Sequence, residues 1–214
     1  MRLLHIYKDY APVLGGIENH VRDLAEAQAQ TGHEVTVLVT QIKGASGSDE
    51  LVNGVRVVKA TRQLNVQSAP IALAFPALVA RLSRGMDIAH LHAPYPIGEA
   101  CNLVFGAARK TIITWHSDIV RQKTLLRLYA PLLRRVIARA DRIIPTSDAY
   151  AQTSPWLRGH LAKCSAVPLG IDPARFASSA ATRSRATQLR AAWQAQVPPL
   201  SDPLVLLSVG RLRY

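Results

Sequence analysis

Cysteine is scarce in this chain. Only Cys101 and Cys164 occur among 214 residues, with no CxxC pair and no metal-ligand spacing, which excludes a disulfide scaffold and suits a reducing compartment. A chain of this length should bury roughly 70% of the surface its unfolded form exposes, so it needs no such staples. Long hydrophobic runs are also missing. The longest uncharged stretch, residues 63–80, contains Gln63, Asn65, Gln67, Ser68, Pro70 and Pro76, whereas a membrane span needs ~20 apolar residues. The apolar run at the N-terminus ends at Lys8 and Asp9, too early for a signal-peptide core, and we expect a cytoplasmic protein. Acidic residues are few, 14 against 26 Lys and Arg, for a formal charge of +12. That excess suits a polyanion, an anionic membrane surface or a phosphorylated substrate. Aromatic residues make up 6% and are not interleaved with the basic ones, so a stacking platform for nucleic acid is not expected.

What is present has the pattern of an α/β protein. Residues 3–7 read as a buried strand, followed by a loop with Pro12, Gly15 and Gly16. From residue 17 to 30, Ile17, Val21, Leu24 and Ala25 recur at helical spacing, and Thr31-Gly32 closes the pattern. Residues 35–39 form a β-branched strand, and Asn53-Gly54 between two apolar runs predicts a tight hairpin. Residues 71–82 read as a helix bent or split by Pro76. Further strands are expected at 88–91, 111–115, 142–145 and 165–169, with helices at 97–108, 125–139 and 148–161, the last capped by Ser147 or Asp148. Strands alternating with helices argue for a doubly wound parallel sheet of the Rossmann-like class.

The composition shifts near residue 177. Residues 177–187 are small, polar and basic, 190–196 suggest a short helix, and Pro198-Pro199 stops it. We expect a domain over 1–176, a linker over 177–202, and in 203–214 the first strand of a second domain, or else an extra edge strand of the same sheet.

In an open parallel sheet, ligands bind beyond the carboxyl ends of the strands. There the sequence places Gly15-Gly16, the segment from His90 through His92 to Tyr95, Trp115-His116-Ser117-Asp118, and Thr146-Ser147-Asp148. Gly15-Gly16 opening a helix fits an anion site, since backbone amides can approach a phosphate there; a tight turn needing glycine explains the pair equally well. His90 lies inside its strand and reads as a hydrogen-bonded core residue. His116 sits at a strand exit, where a neutral imidazole can bond a sugar hydroxyl. No HExxH motif or cysteine pair supports a metal among these histidines, and no metal is expected. Between Arg109 and Arg142 nine basic residues face only Asp118 and Asp141. Arg121 and Lys123 are close to the expected crevice and suit a phosphate, whereas Arg127, Arg134 and Arg135 fall on a helix whose solvated face or membrane contact accounts for them.

The segments HIYKDYAPVLGGIENHV, HLHAPYPIGEA, TWHSDIVRQK, ADRIIPTSDAY, VPLGID and SVGRL occur in the order seen in retaining glycosyltransferases of family 4. The chain resembles the N-terminal, acceptor-side half of such a GT-B enzyme, joined to the opening strand of the donor-side half. The resemblance implies transfer of a hexose, mannose among the candidates, from a GDP- or UDP-sugar, with no metal and no further cofactor. The implied acceptor is a lipid-linked glycan or polysaccharide of the bacterial surface, at the inner face of the membrane. It assigns His116 to the donor sugar, and Gly15, Gly16 and Arg211 to the donor diphosphate. Glu18, His92, Tyr95, Asp118, Arg121 and Lys123 fall on the acceptor side. The family's later lysine and E-x7-E glutamates are not in these residues, so the expectation is that the chain alone has little or no activity. A different reading is a non-catalytic module that binds anionic lipid or lipid-linked glycan.

Overall fold

β-branched and leucine-rich runs become strands in the computed structural model, which describes residues 1–66, 69–119, 123–170 and 173–196. In chain order the elements are β1 (Arg2–Ile6), α1 (Gly16–Gln30), β2 (Glu34–Thr40), β3 (Ser48–Val52), β4 (Val55–Ala60), β5 (Leu64–Val66) and β6 (Ala69–Ile71). They continue with α2 (Phe75–Leu82), β7 (Ile88–Ala93), α3 (Pro96–Phe105), β8 (Lys110–Trp115), α4 (Lys123–Arg139), β9 (Arg142–Pro145), α5 (Asp148–Thr153) and α6 (Ala180–Gln194). Seven strands form one sheet in the order β3-β4-β2-β1-β7-β8-β9, and every neighbouring pair is parallel except β3 with β4. The chain builds outward from β1 to one side through β2 and β4, then returns to place β7, β8 and β9 on the other. The reversal lies between β1 and β7, where an open sheet leaves a crevice at its carboxyl edge.

Burial follows from the two covered faces. Of the seven residues of β2 all but Glu34 are buried, and Leu4, Ile6, Leu91, Ile113 and Ile143 continue the core across the sheet. Such continuous apolar runs are what strands covered on both faces require. α3 packs between α2 and α4. α1 buries Val21 and Ala25, four apart, and ends where Gly32 takes a φ of 86°, the left-handed cap that glycine adopts without strain.

The hairpin at Asn53-Gly54 forms as expected, with φ of 49° and 81°, the two positive values a type I′ turn demands. Its outer strand is charged: Arg56 pairs with Asp49 at 2.6 Å and Lys59 with Glu50 at 2.8 Å. Other expectations are revised. Pro76 does not bend a helix over 71–82 but opens α2 in its first turn, where no N–H is needed, while residues 69–71 pair as β6 with β5. Residues 148–161 are not one helix. α5 stops at Thr153, capped at its start by Ser147 Oγ on the Tyr150 amide, because Pro155 forces the preceding Ser154 out of helical backbone. Residues 165–169 form no named strand. Ser165 and Val167 donate to the carbonyls of Ile143 and Pro145 beside β9, and Pro168, lacking an N–H, ends the pairing.

The chain divides into compact units Met1–Gly170 and Ile171–Tyr214. In the second, α6 begins ten residues before the helix expected at 190, because Ser179 and Thr182 form a capping box ahead of residues with good helix propensity. The expected strand at 203–209 lies outside the described residues. Among the described residues no helix is long and apolar enough to cross a membrane.

Candidate functional site

Three strand ends and one helix start meet at the crevice between β1 and β7. The loop after β1 leads into α1, with Gly15 as N-cap. Its φ of −173° is open to any residue, so conformation does not explain the glycine; a Cβ there would lie 2.0 Å from Glu18 Oε2. The Glu18 carboxylate therefore folds back over the helix start, where the dipole favours negative charge, and is almost fully buried. Gly16 has nothing within 4 Å of where its Cβ would stand, so the backbone is open to close approach.

Behind the crevice lies a block of histidines. β1 and β7 pair in the register His5↔His90, and β7 and β8 pair His90 with Ile112 and His92 with Thr114. Alternation along the strands turns these side chains to one face. α1 covers that face, and His20, Leu24 and Gln28 line a cavity of about 250 Å³ together with His5, His90 and Thr114. His5 Nε2 bonds Gln28 Oε1 at 2.7 Å, His5 Nδ1 meets His92 Nε2 at 3.0 Å, and His92 Nδ1 meets His116 Nε2 at 3.2 Å. His90 bonds Thr114 Oγ1 at 2.7 Å and stacks on His92 with ring centres 4.6 Å apart. His20 approaches His116 edge-on at 5.2 Å.

Burial holds these rings neutral. His5 and His116 are pushed down to about 4, chiefly by desolvation, with His20 nearby lowering both further and the Gln28 bond partly offsetting it in His5. His90 and His92 are held well below the ordinary imidazole range by burial first and by the neighbouring rings second. His116 Nδ1 is buried and has no hydrogen-bond partner among the described residues.

The loop after β8 is tied down from two sides. Trp115 Nε1 and Ser154 Oγ each donate to Asp118 Oδ1 at 2.9 Å. Beside it a broad depression of about 760 Å³ is lined by Asp118, Leu126, Arg134, Trp156 and Arg158, among others. Across the crevice, Tyr95 packs edge-on against Phe75 and Tyr7 and donates its hydroxyl to the Pro70 carbonyl. Its amide donates to Glu99 Oε1 at 2.7 Å, and the Tyr129 hydroxyl donates to Glu99 Oε2. Burial raises the Glu99 carboxyl above the ordinary range, and those two donors draw it back.

The structure thus brings His116, His92, Gly15, Gly16, Glu18 and Asp118 to the carboxyl edge of the sheet. His92 and Tyr95 are each 1% exposed and reach the crevice only through the groups they hold. Lys123 opens α4; Arg121 and Arg211 lie outside the described residues. Sequence reasoning missed His5, His20 and Gln28, although His5 shares the alternation that marked His90. Two trios, His5, His90 and His92, and His20, His92 and His116, have nitrogens within 4.8 Å of one another, spacing that a metal could bridge. Hydrogen bonds already occupy both nitrogens of His5 and of His92, and no carboxylate joins either trio.

Residues 14–175 match the family profile of Glycosyltransferase Family 4. The chain is 30% identical over 216 residues to a D-rhamnosyltransferase of Pseudomonas aeruginosa, covering all of this chain and 54% of that protein. It is 31% identical over 173 residues to the O-antigen chain mannosyltransferase C of Escherichia coli, covering 80% of this chain and 46% of the other. The chain spans about half the length of the curated relatives it matches. Among solved structures, Anabaena Alr3699/HepE in complex with UDP-glucose superposes with a TM-score of 0.62 at 18% identity, over 89% of this chain and 50% of that one. Sucrose-phosphate synthase of Thermosynechococcus elongatus gives 0.62 at 17% identity, over 87% and 52%. These likenesses extend to the fold.

Proposed function

Because the chain belongs to Glycosyltransferase Family 4, we propose that it is the acceptor-side half of a GT-B enzyme that transfers a hexose from a nucleotide-sugar to a lipid-linked glycan or polysaccharide, with retention at the anomeric carbon. The observation that carries this reading is His116, a neutral imidazole with an unpartnered nitrogen at the strand exit beside the topological switch point. In this reading His116 bonds the donor sugar and the open backbone at Gly15 and Gly16 meets the diphosphate, a ligand to which the family resemblance also assigns Arg211. Glu18 and Asp118 face the acceptor with His92 and Tyr95 supporting them from the core, and the family resemblance gives Arg121 and Lys123 the same acceptor-side role. The depression beside Asp118, with Trp156 for a sugar face and Arg134 and Arg158 for a phosphate, suits a lipid-linked glycan. Relatives named as D-rhamnosyl-, O-antigen mannosyl- and phosphatidyl-myo-inositol mannosyltransferases support mannose or a related sugar; a GDP-sugar and a UDP-sugar are the two candidate donors.

Catalysis of this kind needs charge stabilisation of a departing nucleotide diphosphate, and one wall of the cleft supplies too little of it. These residues alone are therefore expected to be inactive. The test is sugar transfer by a longer protein that adds a donor domain, assayed with GDP- and UDP-sugars and a lipid-linked glycan. His116→Ala should lower kcat by about 10²-fold or more; unchanged transfer in that variant overturns the role of His116, and turnover by the 214-residue chain alone overturns the need for the second domain.

α4 favours a second reading. Arg127, Arg134, Arg135 and Arg139 are exposed along it, Leu128 is 78% exposed beside them, and the helix contains no acidic residue. Contact with an anionic membrane surface, with or without catalysis, would use this face.

A further inference from the structure

Gln28, His5, His92 and His116 form an unbroken row of side-chain hydrogen bonds running from the last turn of α1 to the exit of β8. A neutral imidazole has one N–H donor and one lone-pair acceptor. When three neutral rings are joined nitrogen to nitrogen, their protons must all point the same way along the row. Two polarities satisfy that condition. If Gln28 accepts, His5, His92 and His116 are all protonated on Nε2, and the row ends in a lone pair on His116 Nδ1. If Gln28 donates, the protons sit on Nδ1 throughout, and the row ends in a buried N–H without a partner among the described residues.

The two ends of the row agree on the choice. Gln28 presents Oε1, an acceptor, to His5 at 2.7 Å. At the other end an orphaned buried N–H is the rarer and more costly outcome than an unfilled acceptor. His90 stands beside the row, bonded to Thr114 and stacked on His92, and holds the middle ring in plane. We propose that Gln28, acting through His5 and His92, is a positioning residue that fixes His116 in the Nε2-protonated tautomer, so that Nδ1 is a hydrogen-bond acceptor reserved for a ligand hydroxyl. His116 then selects an O–H donor, such as a sugar hydroxyl, and offers nothing to a phosphate oxygen. This assignment of ligand chemistry rests on the glycosyltransferase reading; the tautomer itself does not.

The test is two-bond ¹⁵N–¹H correlation spectroscopy on the 214-residue chain labelled with ¹⁵N-histidine, at neutral pH and with no ligand. The expected result is Nε2–H on His5, His92 and His116. Gln28→Leu removes the acceptor that sets the direction and should bring both tautomers of His116 to comparable populations, while His90, held by Thr114, keeps its signal. Gln28→Glu keeps an acceptor and should restore the wild-type pattern. Nδ1–H on His116 in the wild-type chain, or a His116 pattern indifferent to Gln28→Leu in a folded variant, overturns the relay. The wild-type spectrum alone can do so, even if the variants fail to fold. Because no sugar or donor is present, a failed transfer assay would leave this result standing, and a wrong tautomer would leave the transfer reading standing.

Discussion

His5 and His116 are neutral rings whose surroundings compensate an added proton far less than burial penalises it, and this has a consequence for acid stability. Their values lie near 4 in the folded chain against an ordinary imidazole value of 6.5. The unfolded chain therefore binds more protons than the folded one as the pH drops through that interval. The stability that depends on uncharged rings is complete above pH 6.5 and is lost as the pH falls toward 4, by on the order of 3 kcal/mol per ring at the lower limit. The burial-lowered His20, His90 and His92 act in the same direction, whereas Glu99, its carboxyl raised by burial, opposes them. Urea midpoints measured between pH 7 and pH 5 should fall steadily, before the depressed carboxyls of Asp87 and Asp141 begin to titrate. A flat profile over that range would mean the rings are not buried as a neutral block.

At the scale of elements, the hairpin gives the sharpest contrast between two glycines. Gly54 sits at a φ of 81°, and Gly54→Ala should cost about 1 kcal/mol in a urea titration. Gly16, in the first turn of α1 with open space around it, should accept alanine without loss of stability. The order of helices and strands was readable because each local signal had a local cause: the periodicity of residues 17–30, the Asn53-Gly54 turn, the β-branched run of β2. Three of the slips involved a proline, whereas the early start of α6 came from the Ser179–Thr182 capping box. Pro76 started a helix it was expected to break, Pro155 stopped one early, and Pro168 cut short the pairing of residues 165–167 with β9. The candidate site was legible only in part for a different reason. His116 stands at the end of an apolar strand and announces itself, whereas His5 and His92 are 87 residues apart and meet only through the pairing of β1 with β7. Gln28 carries no sequence signal at all, since one more glutamine on a helix is unremarkable until the ring beneath it is known.

For the whole molecule, the surplus of positive charge noted in the sequence gathers in part on one exposed face of α4. If that face meets an anionic surface, the 214-residue chain should sediment with phosphatidylglycerol vesicles and not with phosphatidylcholine ones. Binding should weaken as salt shortens the screening length. Replacing Arg134 and Arg135 together by glutamate should abolish it, while salt-insensitive binding to both kinds of vesicle would assign the contact to Leu128 and its apolar neighbours. The two margins of the sheet have a further consequence. β3 carries Asp49 and Glu50, each paired with a cation of β4, and the other margin is flanked where Ser165 and Val167 donate to β9. A polyvalent sheet with bare rims would recruit strands from other molecules. Here one rim presents charge and the other is partly occupied, so concentrated solutions are guarded against ribbon-like self-assembly by the same short segments that close the fold.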